Sequence, residues 1–159
     1  MTDDFIALDF ETTSLSPRDG EIRLITTKRP GKPAEVWDTR EHSLHDTRAY
    51  LTHIIEKPVI AHNLKFEAAW LHQYTGKHIH PKSWCTYRAE HVLTNGTGAK
   101  KDLWSTTKRH IPNAVIDEDN DKQKSGWSAP VLSNEQIAYA LSDVAYLPTL
   151  QKEQAAQLV

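Results

Sequence analysis

Residues Phe5 to Thr13 (Phe-Ile-Ala-Leu-Asp-Phe-Glu-Thr-Thr) constrain this chain more than any other stretch. Four uncharged residues lead into two carboxylates at i and i+2, and two small hydroxyl residues follow. On a β-strand, i and i+2 point to the same face. Asp9 and Glu11 are therefore expected side by side at the end of a buried strand. Carboxylates that close repel, and one picks up a proton unless a cation neutralises the pair. Magnesium or manganese, which prefer oxygen ligands, are the natural cations. Taken alone, the pair is better explained as an apolar strand running into a solvated turn. The rest of the chain has to decide.

The chain's 159 residues allow one domain with a real core. Its 38% hydrophobic and 25% charged residues match a soluble globular protein rather than a disordered one. With a net charge of -2 and a pI near 6.5, no global basic surplus announces nucleic acid, so any such contact must be a local patch. Cys85 is the single cysteine, which excludes an intramolecular disulfide and fits a reducing compartment. The acidic start (Thr2-Asp3-Asp4) and the interruption at Asp9 do not make a signal peptide, and no stretch approaches a membrane span. The expectation is a cytoplasmic protein of one domain, residues 1–159, without membrane contact.

Phe5 to Phe10, Glu21 to Thr27 and Ala34 to Asp38 read as three strands joined by turns. Asp46 is expected to cap a helix to about Glu56, and Pro58 to Ala61 forms a short strand. Asn63 is expected to cap a second helix that stops at Gly76. Ser83 to Cys85 reads as a last strand, followed by helices over Thr86 to Leu93 and Lys100 to His110, with 113–130 irregular. Ser133-Asn134-Glu135-Gln136 is a capping box opening one long helix, with Ile137, Leu141, Val144 and Leu147 inward. Early hairpin-like strands, then strands alternating with helices, predict a mixed sheet flanked by helices.

Two weaker metal signals are set aside. Asp117, Asp119 and Asp121 are spaced like a calcium loop, but Lys122 stands where that loop needs glycine. His78, His80 and Cys85 supply at most three zinc ligands without a second paired motif.

Two further segments carry chemistry. A buried strand delivers His62 and Asn63, with Glu67 one helical turn later. Tyr139 and Asp143, at i and i+4, share a helix face. In this order, Asp9-x-Glu11, Asn63-x-x-x-Glu67 and Tyr139-x-x-x-Asp143 resemble the three motifs of the DnaQ-like 3′–5′ exonucleases of DEDDy type. The surroundings look like the proofreading domain of family A DNA polymerases and the catalytic domain of ribonuclease D. The likeness runs from about residue 5 to 150. Glu67 departs from it, since the family has aspartate there.

The resemblance implies a ribonuclease H-like α/β fold: a five-stranded mixed sheet with helices on both faces. It implies two Mg2+ or Mn2+ ions held by Asp9, Glu11, Glu67 and Asp143, with Tyr139 orienting the attacking water. Thr12, Leu15, His62 and Asn63 would contact the 3′-terminal nucleotides. Lys100 and Lys101, with Lys108 and Arg109, form the one basic cluster, read equally well as a phosphate track or a solvated helix face. Trp127 is a candidate for base stacking, whereas Trp104 suits the core better. The expected substrate is a nucleic acid with a free 3′ end, single-stranded DNA before RNA, and the candidate protein partner is a separate DNA polymerase. The alternatives are a 3′–5′ exoribonuclease of ribonuclease D type and a catalytically weak nucleic-acid-binding or polymerase-associated module.

Overall fold

The computed structural model describes residues 4–116 and 126–159. The aspartate run from Asp117 to Asp121 lies outside them.

Strand β1 (Ile6–Thr12) is the centre of a five-stranded mixed sheet of order β3-β2-β1-β4-β5. It pairs antiparallel with β2 (Ile22–Lys28), which pairs antiparallel with β3 (Ala34–Asp38). On its other side β1 runs parallel to β4 (Val59–Ala61), and β4 parallel to β5 (Trp84–Cys85). The helices are α1 (Leu44–Ile55), α2 (Lys65–Thr75), α3 (Thr86–Leu93), α4 (Leu103–His110), α5 (Asn134–Ala145) and α6 (Leu147–Gln157).

The two faces of β1 explain the layers. Ile6, Leu8 and Phe10 join Leu51, Ile54, Trp70 and Leu71 of α1 and α2 in the main core. Ala7, on the opposite face, packs with Ile60, Val144 and Leu147. By strand periodicity Asp9 and Glu11 follow Ala7, so α5 carries Asp143 across the face on which they stand. A third cluster joins Leu24 to Trp127, Leu132, Tyr139 and Ala140. No helix among the described residues is long and apolar enough to cross a membrane.

Four expected helix boundaries differ. α4 starts at Leu103 rather than Lys100, with the Asp102 carboxylate as its cap, accepting from the Ser105 amide at 2.9 Å. Ser43, not Asp46, caps α1: its hydroxyl accepts from the Asp46 amide at 3.0 Å, and Asp46 lies in the first turn. Asn63 does not cap α2. It adopts a left-handed conformation (φ 64°), which asparagine tolerates better than most residues, and Leu64 takes the cap position without a side-chain bond. The long C-terminal helix is two helices, broken at Tyr146, because Pro148 lacks an amide donor and suits a first turn. The capping box of α5 is present as expected, with Ser133 and Gln136 bonding reciprocally.

Candidate active site

The three parallel strands β1, β4 and β5 end at one side of the sheet, where ligands of open α/β sheets bind. There an open cleft of about 770 Å³ is lined by residues that include Asp9, Glu11, Glu67 and Asp143. Asp9, Glu11 and Asp143 each offer a carboxylate oxygen, and the three oxygens lie within 4.8 Å of one another. No other group of three or more His, Cys, Asp or Glu among the described residues is so placed, so His78, His80 and Cys85 form no such cluster. His78 instead stacks on His72, with ring centroids 5.0 Å apart.

These acids are held where charge is expensive. Glu11 is 8% exposed and Glu67 2%. Burial first, then the charges of Asp9, Asp143 and Glu67, push the Glu11 carboxyl up to about 10. Asp9 is raised well above the carboxylate range by burial and by Asp143, and Glu67 by burial and then Asp9. Glu67 Oε2 is buried without a hydrogen-bond partner. An all-oxygen donor set, close-set like charges and an orphaned carboxylate oxygen fit a hard divalent cation.

Tyr139 is 7% exposed and packs on Leu24 and Trp127. Burial foremost, then Asp143, Glu11 and Asp9, push its phenol above the ordinary range, and its hydrogen bond to Asp143 adds to the effect. It stays protonated, a donor rather than a base.

The cleft rim comes from the turn after β1. Thr12 Oγ1 donates to Ser14 O at 2.7 Å, and the amide of Thr13 donates to Glu21 O at 3.0 Å. Gly20 closes this turn, because a Cβ there would lie 2.6 Å from Ser14 Cβ. Leu15 projects from the rim at 88% exposure. Thr12, Leu15, His62 and Asn63 all line the cleft. His62, however, has both ring nitrogens bonded to protein, at Thr86 and Lys101.

The basic cluster divides. Lys108 Nζ donates to Ala114 O at 2.5 Å, and Arg109 pairs with buried Glu90. Lys100 is exposed, and Lys101 Nζ reaches Ala99 O at 3.1 Å, just ahead of the cleft-lining Asp102 and Leu103. Trp127 lines the cleft but is 6% exposed within the third core cluster. Phe66 and Tyr87 also line the cleft, beyond the residues expected from the sequence. Tyr87 carried a usable signal, standing two residues past the end of a parallel strand.

Comparison with known proteins places this geometry. The family model for the 3′–5′ exonuclease of DNA polymerase A type matches residues 2–158. DNA polymerase I of Aquifex aeolicus is 29% identical over 149 residues, covering 92% of this chain but only 23% of the polymerase. The structure of NrnC from Brucella melitensis superposes with a TM-score of 0.80 at 25% identity, over 98% of this chain and 73% of NrnC, and NrnC has been observed with bound Mg2+ and bound to pGG. RNase D of Escherichia coli shares the fold, with a TM-score of 0.72 at 19% identity over 96% of this chain and 40% of RNase D. The chain belongs to the polymerase A type of DnaQ-like 3′–5′ exonucleases, a family of metal-dependent hydrolytic nucleases acting on nucleic acid.

Proposed function

We propose that this protein removes nucleoside 5′-monophosphates from the 3′ end of single-stranded DNA with the help of two divalent ions. The observation that carries the reading is the convergence of Asp9, Glu11 and Asp143 within 4.8 Å on the floor of an open cleft. The polymerase A type of the family and the DNA polymerase I relative favour DNA. Asp9, Glu11 and Asp143 would hold the ions, with Glu67 as a further ligand through its orphaned oxygen. When bound, such ions neutralise the scissile phosphate, acidify the attacking water and stabilise the leaving oxygen.

The remaining steps belong to the protein. Tyr139, kept protonated, orients the water by its hydroxyl. The water oxygen bonds to phosphorus, the bond from phosphorus to the 3′ oxygen breaks, and that oxygen takes a proton. Thr12 holds the terminal 3′-hydroxyl through its backbone, and exposed Leu15 wedges against the last bases. Asn63, which lines the cleft, contacts the sugar-phosphate, and Lys100 and Lys101, just before the cleft-lining Asp102, meet phosphates further along the strand.

A second reading, an exoribonuclease, is favoured by NrnC having been observed with pGG. Both are tested together. DNA and RNA strands labelled at the 5′ end, and duplex DNA, are incubated with Mg2+ or Mn2+, and the product ladder is read over time. The expected result is stepwise shortening of single-stranded DNA ahead of the others. RNA shortened faster would select the second reading, and no metal-dependent shortening of any strand would overturn both. Glu67→Ala should abolish cleavage and leave the fold intact by circular dichroism.

A further inference from the structure

Two consecutive backbone carbonyls beside the cleft are held by side chains. His62 follows β4 and lines the cleft. Its Nε2 lies 2.8 Å from Lys101 O, and its Nδ1 lies 2.9 Å from Thr86 Oγ1. A carbonyl only accepts, so Nε2 carries a ring proton, and Nδ1 makes the shorter of the two contacts of the Thr86 hydroxyl, which also reaches Ala61 O at 3.4 Å. Arg109 treats the preceding residue alike, donating from Nη2 to Lys100 O at 2.9 Å while Nη1 pairs with Glu90.

Behind these contacts the network is continuous and buried. Thr86, Glu90 and Gln154 are each 0% exposed. Gln154 Nε2 donates to Thr86 O at 2.9 Å and to Glu90 Oε2 at 3.1 Å. The network therefore ends on the carbonyls of Lys100 and Lys101, next to the cleft-lining Asp102 and Leu103.

Both nitrogens of His62 are thus committed to protein. Burial also lowers its pKa to about 4, against smaller opposing effects of Lys101, Asp102 and Glu90, so the ring is uncharged in neutral solution. Such a histidine is poorly suited to bind a phosphate as a cation.

We propose that His62 is a positioning residue which, with Arg109, fixes the backbone of Lys100 and Lys101 so that their ammonium groups meet the phosphates of the bound strand. This rests on the assignment of Lys100 and Lys101 to substrate binding above. A loop without the brace would have to be ordered at each encounter, and that entropy would weaken binding.

The test separates binding from chemistry. Binding of a fluorescein-labelled oligodeoxynucleotide is measured by anisotropy in EDTA, and kcat and KM are measured in Mg2+. His62→Phe keeps a ring and removes both hydrogen bonds, whereas His62→Gln can still donate to Lys101 and accept from Thr86. His62→Phe should weaken binding about 5- to 10-fold, raise KM by a similar factor and change kcat less than about twofold. His62→Gln should recover most of the loss. In a Lys100→Ala/Lys101→Ala background, His62→Phe should add nothing. Effects that multiply with the lysine pair, or a loss confined to kcat, would overturn the positioning role.

If His62→Phe does not fold, Thr86→Val removes the Nδ1 partner while leaving the cleft residues in place. It should weaken binding in the same direction, and unchanged binding would overturn the role. If the lysine pair alone changes neither binding nor its salt dependence, the assignment of the lysines fails and the proposal with it. Weakened binding in the lysine pair beside normal binding in His62→Phe would overturn the brace alone.

Discussion

Two groups of buried carboxylates in this protein are treated in opposite ways. Glu90 is 0% exposed and is met by Arg109, by His110 at 2.6 Å and by Gln154 at 3.1 Å. Burial alone would raise its pKa, yet His110, Gln154 and Arg109 outweigh burial and hold it below the ordinary value. Glu11 and Glu67 are almost as deeply buried, but the charges that act on them most strongly are other acids, and both are pushed up. A carboxylate used for structure is neutralised by the protein's own side chains. Where acids face one another across a cleft, the neutralising charge has to come from outside.

The largest effect expected from this contrast is on the cleft side. Asp9→Asn keeps the shape and removes a charge shared by the acid cluster. Cleavage should fall on the order of 10³-fold, read as initial rates of product formation. Stability in EDTA should not fall, because an acid whose ionisation burial and Asp143 disfavour has been replaced by a neutral group of the same shape. A parallel loss of melting temperature would show that the acids serve the fold after all.

Glu90→Ala should do the reverse. It takes the counter-charge from partly exposed Arg109 and leaves buried His110 and Gln154 without that hydrogen-bond partner, which typically costs about 1–3 kcal/mol. Urea unfolding would measure this as a lower midpoint at an unchanged slope. A loss below about 1 kcal/mol would place Glu90 with weakly coupled surface pairs rather than with the core.

The contrast was half legible in the sequence. Asp9 and Glu11 reveal themselves by strand period and Tyr139 with Asp143 by helix period, since both are local rules. Glu90 gives no such sign. Its partners sit 19, 20 and 64 residues away, and only the packing of α3, α4 and α6 brings them together. Arg23 is hidden for the same reason. It is 1% exposed in a strand of isoleucines, pairs with Asp38 and donates to Ala129 O and Pro130 O at 3.5 and 3.4 Å. That the sheet is mixed and five-stranded was readable from strands, turns and resemblance together. The cap of α2 was not, because Asn63 suits both a cap and a left-handed turn, and the structure uses the second.

Acid and metal titrations should show an effect of intermediate size. Glu11 titrates near 10 in the folded protein and near 4.5 when free. Between those values the folded state holds a proton that the unfolded chain has released, so stability in EDTA should fall as pH rises through the window. A divalent cation competes with those protons, and its stabilising effect should therefore grow with pH. At a free concentration 100 times its Kd, it would add about 2.7 kcal/mol, several degrees of melting temperature for a chain of this size. An apo protein that instead gains stability from pH 5 to 8 would contradict the raised carboxyls.

The smallest expected effect is that of shortening Glu67, the residue that departs from the family motif, rather than of removing its carboxylate. Glu67→Asp restores the shorter side chain and leaves a gap of one methylene, worth roughly 1 kcal/mol of stability. Its carboxylate still reaches toward the same site, so cleavage should fall by no more than about 100-fold, the scale of a group displaced by about 1 Å. Glu67→Gln keeps the length and loses the charge. It should be at least as stable in EDTA as the parent, yet lose more activity than Glu67→Asp. The order of these two variants distinguishes a group chosen for charge from one chosen for fit. Were Glu67→Gln the more active, the orphaned oxygen would be a filler of space, and Glu67 would belong with the structural acids beside Glu90.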